Sequence, residues 1–344
     1  MQSDARPFKL DTIELHITNA CTQRCPYCYI EAANNIEKVK YGDYDTLEKI
    51  ITILGKSPIN SISLLGGDPV LHPNFLDLIK LIRQNGMRVI VMSNSMEVKD
   101  EEFEEVANNI DEIATTIHGK NADEHDRFSK CPGAYDKLIR NLKKFGNMSI
   151  PIDVAINIIP ETVNNIHSMV ENLINEGIKI RNLLTQRILA YGRACNTVRW
   201  MATASQVNVA FEQAEQCIKD FGVNLQVEDP YPFCGIDPRF HQYMHGCPEG
   251  VRRVAMNMEG YFSRCGADPN YSKHNILENS LEEIWFNSDL FAEFRNRTYL
   301  LNECNSCEHK LDCQGGCPID CLQCRENGFN FIKVFLDNYH SDIG

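Results

Sequence analysis

Short β-rich segments alternate with amphipathic segments along the first two hundred residues. We predict strands in segments 12–18, 61–65, 88–92, 112–117, 152–159 and 180–186. Between them we predict helices, including 74–86 and 162–177, where apolar residues recur at helical spacing and the segment ends on a glycine. A repeated strand–helix order is typical of parallel strands joined by crossover helices. The alternation therefore indicates an α/β fold, either an open doubly wound sheet or a partial barrel.

The pattern changes near residue 200. One longer helix is predicted over 204–222, followed by loops rich in glycine, proline and cysteine. Within these loops we predict a hairpin that turns near 257–261 and a helix over 280–295. We therefore divide the chain into an α/β domain (1–200), a bridging helix and linker (201–230), a cysteine-rich domain (231–330) and a tail (331–344).

Charge and composition exclude some classes of partner. The formal net charge is −13, which suits nucleic acids poorly because their binding depends on neutralising phosphates. The sequence has no run of about 18 apolar residues that would span a membrane, and its first residues lack the apolar core of a signal peptide. We therefore expect a cytoplasmic protein with no nucleic-acid or membrane partner. In that reducing compartment, 15 cysteines favour metal ligation or redox chemistry over disulfides.

Three cysteines, Cys21, Cys25 and Cys28, directly follow the first predicted strand. They lie where that strand runs into its helix, at the edge where parallel α/β folds bind ligands. Three thiolates can hold three irons of a [4Fe–4S] cluster and leave the fourth iron open. A zinc site completed by a distant residue, or plain buried cysteines, would also account for the triplet.

The triplet, with Tyr27 before its third cysteine, resembles the signature of the radical S-adenosylmethionine (SAM) superfamily, and the resemblance covers about residues 12 to 195. It implies a partial (β/α)6 barrel in which SAM binds the open iron. An electron from the cluster then cleaves SAM to methionine and a 5′-deoxyadenosyl radical, which abstracts a hydrogen from the substrate. The resemblance also implies an electron donor such as flavodoxin or ferredoxin.

The stretch Gly66–Pro69 is similar to the GGEP motif of that family, with Asp68 in place of the usual glutamate. It is expected to let backbone approach SAM and to leave main-chain groups exposed for the methionine end. Arg127 matches an arginine that pairs with the SAM carboxylate in relatives, and Arg187 and Arg193 are further candidates. The residues that the resemblance assigns to SAM or to its surroundings are Tyr27, Gly66, Gly67, Asp68, Pro69, Ser93, Asn94, Thr116, His118 and Arg127.

The C-terminal cysteines resemble a SPASM domain, an appendage with two auxiliary [4Fe–4S] clusters, over about residues 234 to 330. Two structural zinc sites are the alternative. The resemblance gives the first cluster Cys247, Cys265 and Cys317, with Cys234 as candidate fourth ligand. It gives the second Cys304, Cys307 and Cys313, closed by Cys321 or Cys324. The chain is therefore expected to carry three [4Fe–4S] clusters in all.

Relatives with this appendage mostly modify peptides or proteins by crosslinking, epimerisation or oxidation, and others act on tetrapyrroles or sugars. The barrel is expected to begin near residue 12, which leaves no room for an N-terminal leader-binding domain. Gly266 follows Cys265 where formylglycine-forming relatives have an aspartate, which counts against that reaction. A peptide- or protein-modifying enzyme is the first hypothesis, a small-molecule enzyme the second, and a non-catalytic electron-transfer protein the third.

No catalytic side chain can be assigned from the sequence. An epimerase needs a hydrogen donor opposite the radical, and that donor is often a thiol. The candidates are Cys131, Cys195, Cys217 and Cys321, each of which can equally be a buried structural cysteine.

Overall fold

A nine-stranded sheet forms the centre of the protein, in the order β7-β6-β5-β4-β3-β2-β1-β8-β9. The computed structural model describes residues 9–32, 37–194, 198–320, 331–332 and 334–336. The strands are β1 (Thr12–Thr18), β2 (Ser61–Gly66), β3 (Arg88–Met92), β4 (Glu112–Ile117), β5 (Ile152–Asn157), β6 (Ile180–Gln186), β7 (Asn224–Val227), β8 (Arg253–Met256) and β9 (Phe262–Ser263). Neighbours are parallel, except β8 and β9.

Helices connect the parallel strands and bury an apolar face against the sheet. They are α1 (Tyr44–Leu54), α2 (Phe75–Gln84), α3 (Phe103–Asn109), α4 (Ala122–Ser129), α5 (Ala134–Asn147), α6 (Ile166–Asn175) and α7 (Ala204–Phe221). In α2 the predicted stripe of Phe75, Leu78, Ile79 and Ile82 is buried in the main core. The six strands β1 to β6 adjoin in chain order, and the prediction of a partial (β/α)6 barrel is confirmed.

The cysteine-rich part is joined to the barrel through the sheet itself. The hairpin predicted near 257–261 is formed by β8 and β9, and β8 pairs with β1 from Thr12↔Arg253 to Leu15↔Met256. At the other end, β7 continues the sheet beside β6. The sheet thus runs across the predicted boundary between the domains and brings the residues just after β9, Cys265 and Gly266, close to β1.

The helix predicted over 280–295 is two helices, α8 (Leu281–Asn287) and α9 (Asp289–Asn296). Ser288 separates them with an extended backbone (φ −80°, ψ 121°). Asn287, Ser288 and Asp289 are adjacent, and short polar side chains of this kind compete with helical hydrogen bonds for the backbone. Helix α10 (Lys310–Cys313) follows the loop with Cys304 and Cys307.

Charged side chains fill the amino-terminal end of the barrel. Arg181 at the start of β6 donates to Asp153 with Nε (2.8 Å) and to Glu112 with Nη1 (2.8 Å). Arg88 at the start of β3 reaches the same Glu112 at 3.2 Å, and Asn182 donates to Asp153 at 3.0 Å. We call these five residues the barrel floor, and they link β3, β4, β5 and β6.

A second charged group joins the two ends of the barrel sheet. Arg253 at the start of β8 lies 3.2 Å from Glu14 on β1 and 3.5 Å from Glu228 just beyond β7. β7 and β1 are the two outer strands of the series β7 to β1 and are not paired with each other. Arg253 therefore connects them across this gap, which we call the seam. In the described part of the chain, no helix is both long and apolar enough to cross a membrane.

Candidate active site

The thiol triplet lies on the loop between β1 and α1, and the chain holds this loop from two sides. Gly67 and Asp68, just after β2, donate their main-chain N–H groups to the carbonyls of Thr18 (2.9 Å) and Ala20 (2.6 Å). From the other side, the backbone N–H of Arg193 donates to the carbonyl of Cys28 (3.0 Å), and Arg193 Nη1 donates to the carbonyl of Cys25 (3.1 Å). The three thiols line a cavity of about 700 Å³.

The surroundings of the triplet disfavour negatively charged thiolates unless a positive partner is bound. Burial raises the pKa of Cys21 to about 12, and Asp68 and the two neighbouring thiols act in the same direction. Burial and then Cys28 raise the pKa of Cys25 to about 12, while Arg193 opposes the shift. Iron binds the thiolate form of cysteine. Because burial favours the protonated thiols, binding of iron at this site would release their protons.

The donor set fits a four-iron cluster. The thiols are free, and N–H donors reach two of them, from Ala32 N to Cys28 at 3.4 Å and from Asn94 Nδ2 to Cys21 at 3.8 Å. Hydrogen bonds to sulfur are one of the ways in which proteins tune such clusters. Among the described residues, no group of three or more Cys, His, Asp or Glu side chains is arranged to hold a metal ion. The thiolates of a four-iron cluster bind different irons and stand further apart than the ligands of one ion.

Gly66, the last residue of β2, and Gly67 are required by the loop that carries the triplet, which we call the cluster loop. A Cβ atom on Gly66 would lie 2.2 Å from the carbonyl oxygen of Thr18, and one on Gly67 would lie 2.1 Å from that of Ala20. The main-chain N–H groups of Gly67 and Asp68 are already used in this contact. These two N–H groups therefore hold the cluster loop, and binding of the SAM methionine end by other main-chain groups of this stretch stays a prediction.

Asp68 lies behind the wall of the cavity. It is fully buried, its Oδ1 accepts from Ser93 Oγ at 2.7 Å, and it also caps the short turn that Pro69 begins. Burial raises the pKa of Asp68 to about 6, and its Oδ2 has no hydrogen-bond partner among the described residues. Asp68 therefore keeps an unused acceptor behind the wall and orients Ser93, which does line the cavity.

Seven of the ten residues assigned to SAM line the cavity, namely Tyr27, Gly66, Gly67, Ser93, Asn94, Thr116 and His118. Asp68 and Pro69 stand behind it, and Arg127 is exposed on α4, outside the cavity. The structure thus gives no support to an Arg127–carboxylate pair. Arg193, only a further candidate in the sequence, is the arginine that contacts the triplet loop.

His118 contacts two residues of the cluster loop. Its Nδ1 lies 2.7 Å from the hydroxyl of Tyr27, and its Nε2 lies 3.5 Å from Cys25 Sγ. Burial, and then the neighbouring His125, hold the pKa of His118 well below its usual value. Tyr27 packs edge-on against Trp200 at 5.8 Å between ring centroids. Both side chains also line the cavity, so their contact with SAM or its surroundings stays a prediction.

The C-terminal cysteines form two groups. The first thiol group, Cys247, Cys265 and Cys317, lines the same cavity as the triplet. Burial raises the pKa of Cys265, and Glu249, Cys317 and Cys247 add to the shift. The second thiol group, Cys304, Cys307 and Cys313, does not border the cavity. Cys234, expected beside the first group, lies beside the second, whereas Cys321 and Cys324 fall outside the described residues.

Glu249 and its neighbours were missed in the sequence. Its Oε1 accepts from Arg253 Nε at 2.5 Å, and its buried Oε2 has no partner among the described residues. Glu14, Glu228 and Glu249 all face Arg253 along the cavity wall, so carboxylates outnumber the arginine there. The three acids lie far apart in the chain, and nothing in their local sequence marks them.

The predicted hydrogen donors do not reach the cavity where the structure describes them. Cys217 is buried in α7 and Cys131 is half-buried after α4, and neither lines the cavity. Cys195 and Cys321 lie outside the described residues. The cavity wall therefore offers no candidate donor from this set among the described positions.

Arg187 and Asp320 form an ion pair between the end of the barrel and the helical residues 318–320 after Cys317, with side chains 2% and 3% exposed. We expect Arg187→Met to lower the free energy of unfolding by about 3–5 kcal/mol, because the change leaves buried carboxylates without their partner. Chemical denaturation followed by circular dichroism measures the change. Lys143→Met is the control, since its pair with Glu176 is exposed on both sides (43% and 46%) and should cost under about 1 kcal/mol. Equal effects of the two variants would contradict the assigned role of the buried pair.

Comparison with known proteins agrees with this geometry. A model of the radical SAM superfamily matches residues 15–173, and a model of the SPASM iron–sulfur cluster-binding domain matches residues 247–308. The PqqA peptide cyclase of Rhizobium meliloti is 23% identical over 311 residues, which cover 88% of this chain and 80% of that protein. The AdoMet-dependent heme synthase of Methanosarcina barkeri is 21% identical over 325 residues, covering 88% and 90%.

Among solved structures, SuiB of Streptococcus suis bound to its precursor peptide SuiA has a similar fold. The TM-score is 0.75 at 16% identity, and the match covers 94% of this chain and 75% of SuiB. The two family models fall on the two halves that the structure distinguishes, the barrel with the triplet and the part with the two further thiol groups. The chain therefore belongs to the radical SAM superfamily and carries a SPASM domain in its C-terminal part.

Proposed function

We propose that this protein is a radical SAM enzyme that modifies a peptide or protein substrate. One observation carries the proposal: a single cavity of about 700 Å³ borders both the triplet and the first thiol group. A substrate held there lies between the site of SAM cleavage and a second redox centre. The PqqA peptide cyclase and peptide-bound SuiB support a peptide substrate, since their names record peptides.

The residues of the chain position the reactants and keep water out. A reduced four-iron cluster on Cys21, Cys25 and Cys28 would supply the electron for cleavage of SAM. Arg193 and the main chain of Gly67 fix the loop that carries these thiols. Ser93, oriented by Asp68, and Asn94, which contacts Cys21, are proposed to hold SAM along the cavity wall. The electron is proposed to come from a protein donor such as flavodoxin or ferredoxin.

Three [4Fe–4S] clusters are proposed, and metal analysis tests this. We expect the protein, reconstituted without oxygen, to hold about twelve iron and about twelve sulfide per chain, one four-iron cluster for each thiol group. The expectation rests on three separate groups of free cysteines. An iron content of about four per chain, with zinc making up the difference, would show that the C-terminal groups are zinc sites.

A small-molecule substrate is the second candidate, because the heme synthase is matched over 90% of its length. The deciding experiment uses the reduced holoenzyme with two sets of substrates. One set contains synthetic peptides encoded beside this gene, and the other contains tetrapyrroles and nucleotide sugars. Formation of 5′-deoxyadenosine and a mass change in a peptide support the proposal. Turnover restricted to the small molecules overturns it, and no SAM cleavage with either set points to a non-catalytic protein.

A further inference from the structure

The position of Cys234 does not follow the arrangement expected from the sequence. Cys234 lies in the loop after β7, seven residues beyond Val227, the last residue of that strand. The first thiol group lines the cavity, whereas Cys234 does not. Its surroundings are therefore the starting point for assigning it.

The loop that carries Cys234 packs on the segment that carries the second thiol group. The backbone N–H of Phe233 donates to Cys313 Sγ at 3.3 Å. A Cβ atom on Gly316 would lie 2.7 Å from the backbone nitrogen of Pro232, so the two main chains are in direct contact. The ring of Phe233 also lies 5.7 Å from that of His309. These contacts place the residues on both sides of Cys313 against the residues that precede Cys234.

The thiols themselves are mutual neighbours. Cys234, Cys313 and Cys307 all lie close enough to Cys304 for charge on their thiols to act on it. Cys313 and Cys307 act on Cys234 in the same way. The corresponding neighbours of Cys265 are Glu249, Cys317 and Cys247. The two sets do not overlap, which separates Cys234 from the first group.

We propose that Cys234 is the fourth thiolate ligand of the second auxiliary cluster, together with Cys304, Cys307 and Cys313. Four thiolates, one for each iron, complete the coordination of a [4Fe–4S] cluster. The assignment reverses the expectation that Cys321 or Cys324 closes this cluster. It also ties the loop after β7 to a segment some seventy residues further along the chain, so that cluster assembly and docking of the two parts become one event. The proposal is independent of the substrate.

Additivity of iron loss tests the proposal without any assay of activity. Cys304→Ala, Cys265→Ala and Cys234→Ala are each expected to lose about four of about twelve irons per chain. If Cys234 and Cys304 bind one cluster, the double variant loses no more iron than either single variant. Cys234→Ala combined with Cys265→Ala is expected to lose about eight irons. Cys217→Ala, in the core of α7 and outside both groups, is the control and should keep full iron.

The opposite pattern overturns the assignment. Additive loss with Cys304→Ala and shared loss with Cys265→Ala would place Cys234 in the first group. Full iron in Cys234→Ala, or loss of the second cluster in Cys321→Ala or Cys324→Ala instead, would show that Cys234 is not the ligand. If Cys234→Ala does not fold, Cys234→Ser is examined by electron paramagnetic resonance. A changed signal of the second cluster supports ligation, and an unchanged signal refutes it.

Discussion

Replacing Cys21, Cys25 and Cys28 together by alanine is expected to abolish cleavage of SAM while the two C-terminal clusters remain. The triplet lines the cavity with the proposed SAM-binding residues, and its three thiols leave one iron of a four-iron cluster open. Loss of these ligands removes the place where SAM is reduced. The measurement is 5′-deoxyadenosine formed under strong reduction, beside iron content, which should fall by about a third because one cluster of three is lost.

The matched control for this variant is Cys131→Ala, which removes a nearby thiol outside the cavity. It should keep wild-type iron. Formation of 5′-deoxyadenosine at the wild-type rate in the triple variant would mean that another cluster reduces SAM, and the assignment of the triplet would then be wrong.

Gly67→Ala is expected to cost the protein its triplet cluster as well as SAM binding. The added Cβ would lie 2.1 Å from the carbonyl oxygen of Ala20 and 2.6 Å from that of Asn19, and both are main-chain atoms of the cluster loop. Overpacking of this kind typically costs about 1–3 kcal/mol, and here it is relieved by displacing the loop that carries the thiols. We expect iron content to fall by about a third, one cluster of three, and SAM affinity to fall with it, measured by metal analysis and equilibrium binding.

Gly146→Ala, in helix α5, is the matched control. A Cβ atom at this position would contact only Ile152 Cδ1, at an ordinary distance of 3.8 Å. It should leave both iron content and SAM binding unchanged. Wild-type iron in Gly67→Ala together with weak SAM binding would show instead that this glycine faces the ligand, as the sequence alone suggests.

The barrel and the triplet could be predicted because their signals are local. Strands at 88–92, 112–117 and 180–186 were placed to the residue, since each is a short β-rich segment between amphipathic ones. The single helix predicted over 280–295 was wrong, because the backbone is extended at Ser288. Apolar residues continue at helical spacing on both sides of this break. Helix breaks of this size depend on capping and packing that periodicity does not record.

The wall of the site could be predicted only in part. Ser93, Asn94 and Thr116 line the cavity as expected, because each follows or ends a parallel strand at the same edge. Glu249 and Glu228 depend on which strands meet across the seam, a tertiary fact without a local pattern. Arg127 was favoured over Arg193 by its match to relatives, but helix α4 turns it to the surface.

The barrel floor limits how a long substrate can be presented. Arg88, Glu112, Asp153 and Arg181 are linked by ion pairs at the end of the barrel opposite the triplet loop. If the substrate is a peptide, as proposed, a segment that enters from the side of the thiols meets this floor and is expected to turn back. The part of the substrate inside the barrel is then a chain end or a bend, and it leaves by the same opening through which it entered. Modified positions are accordingly expected near a terminus or a turn of the substrate, at a depth set by the length of the inserted arm.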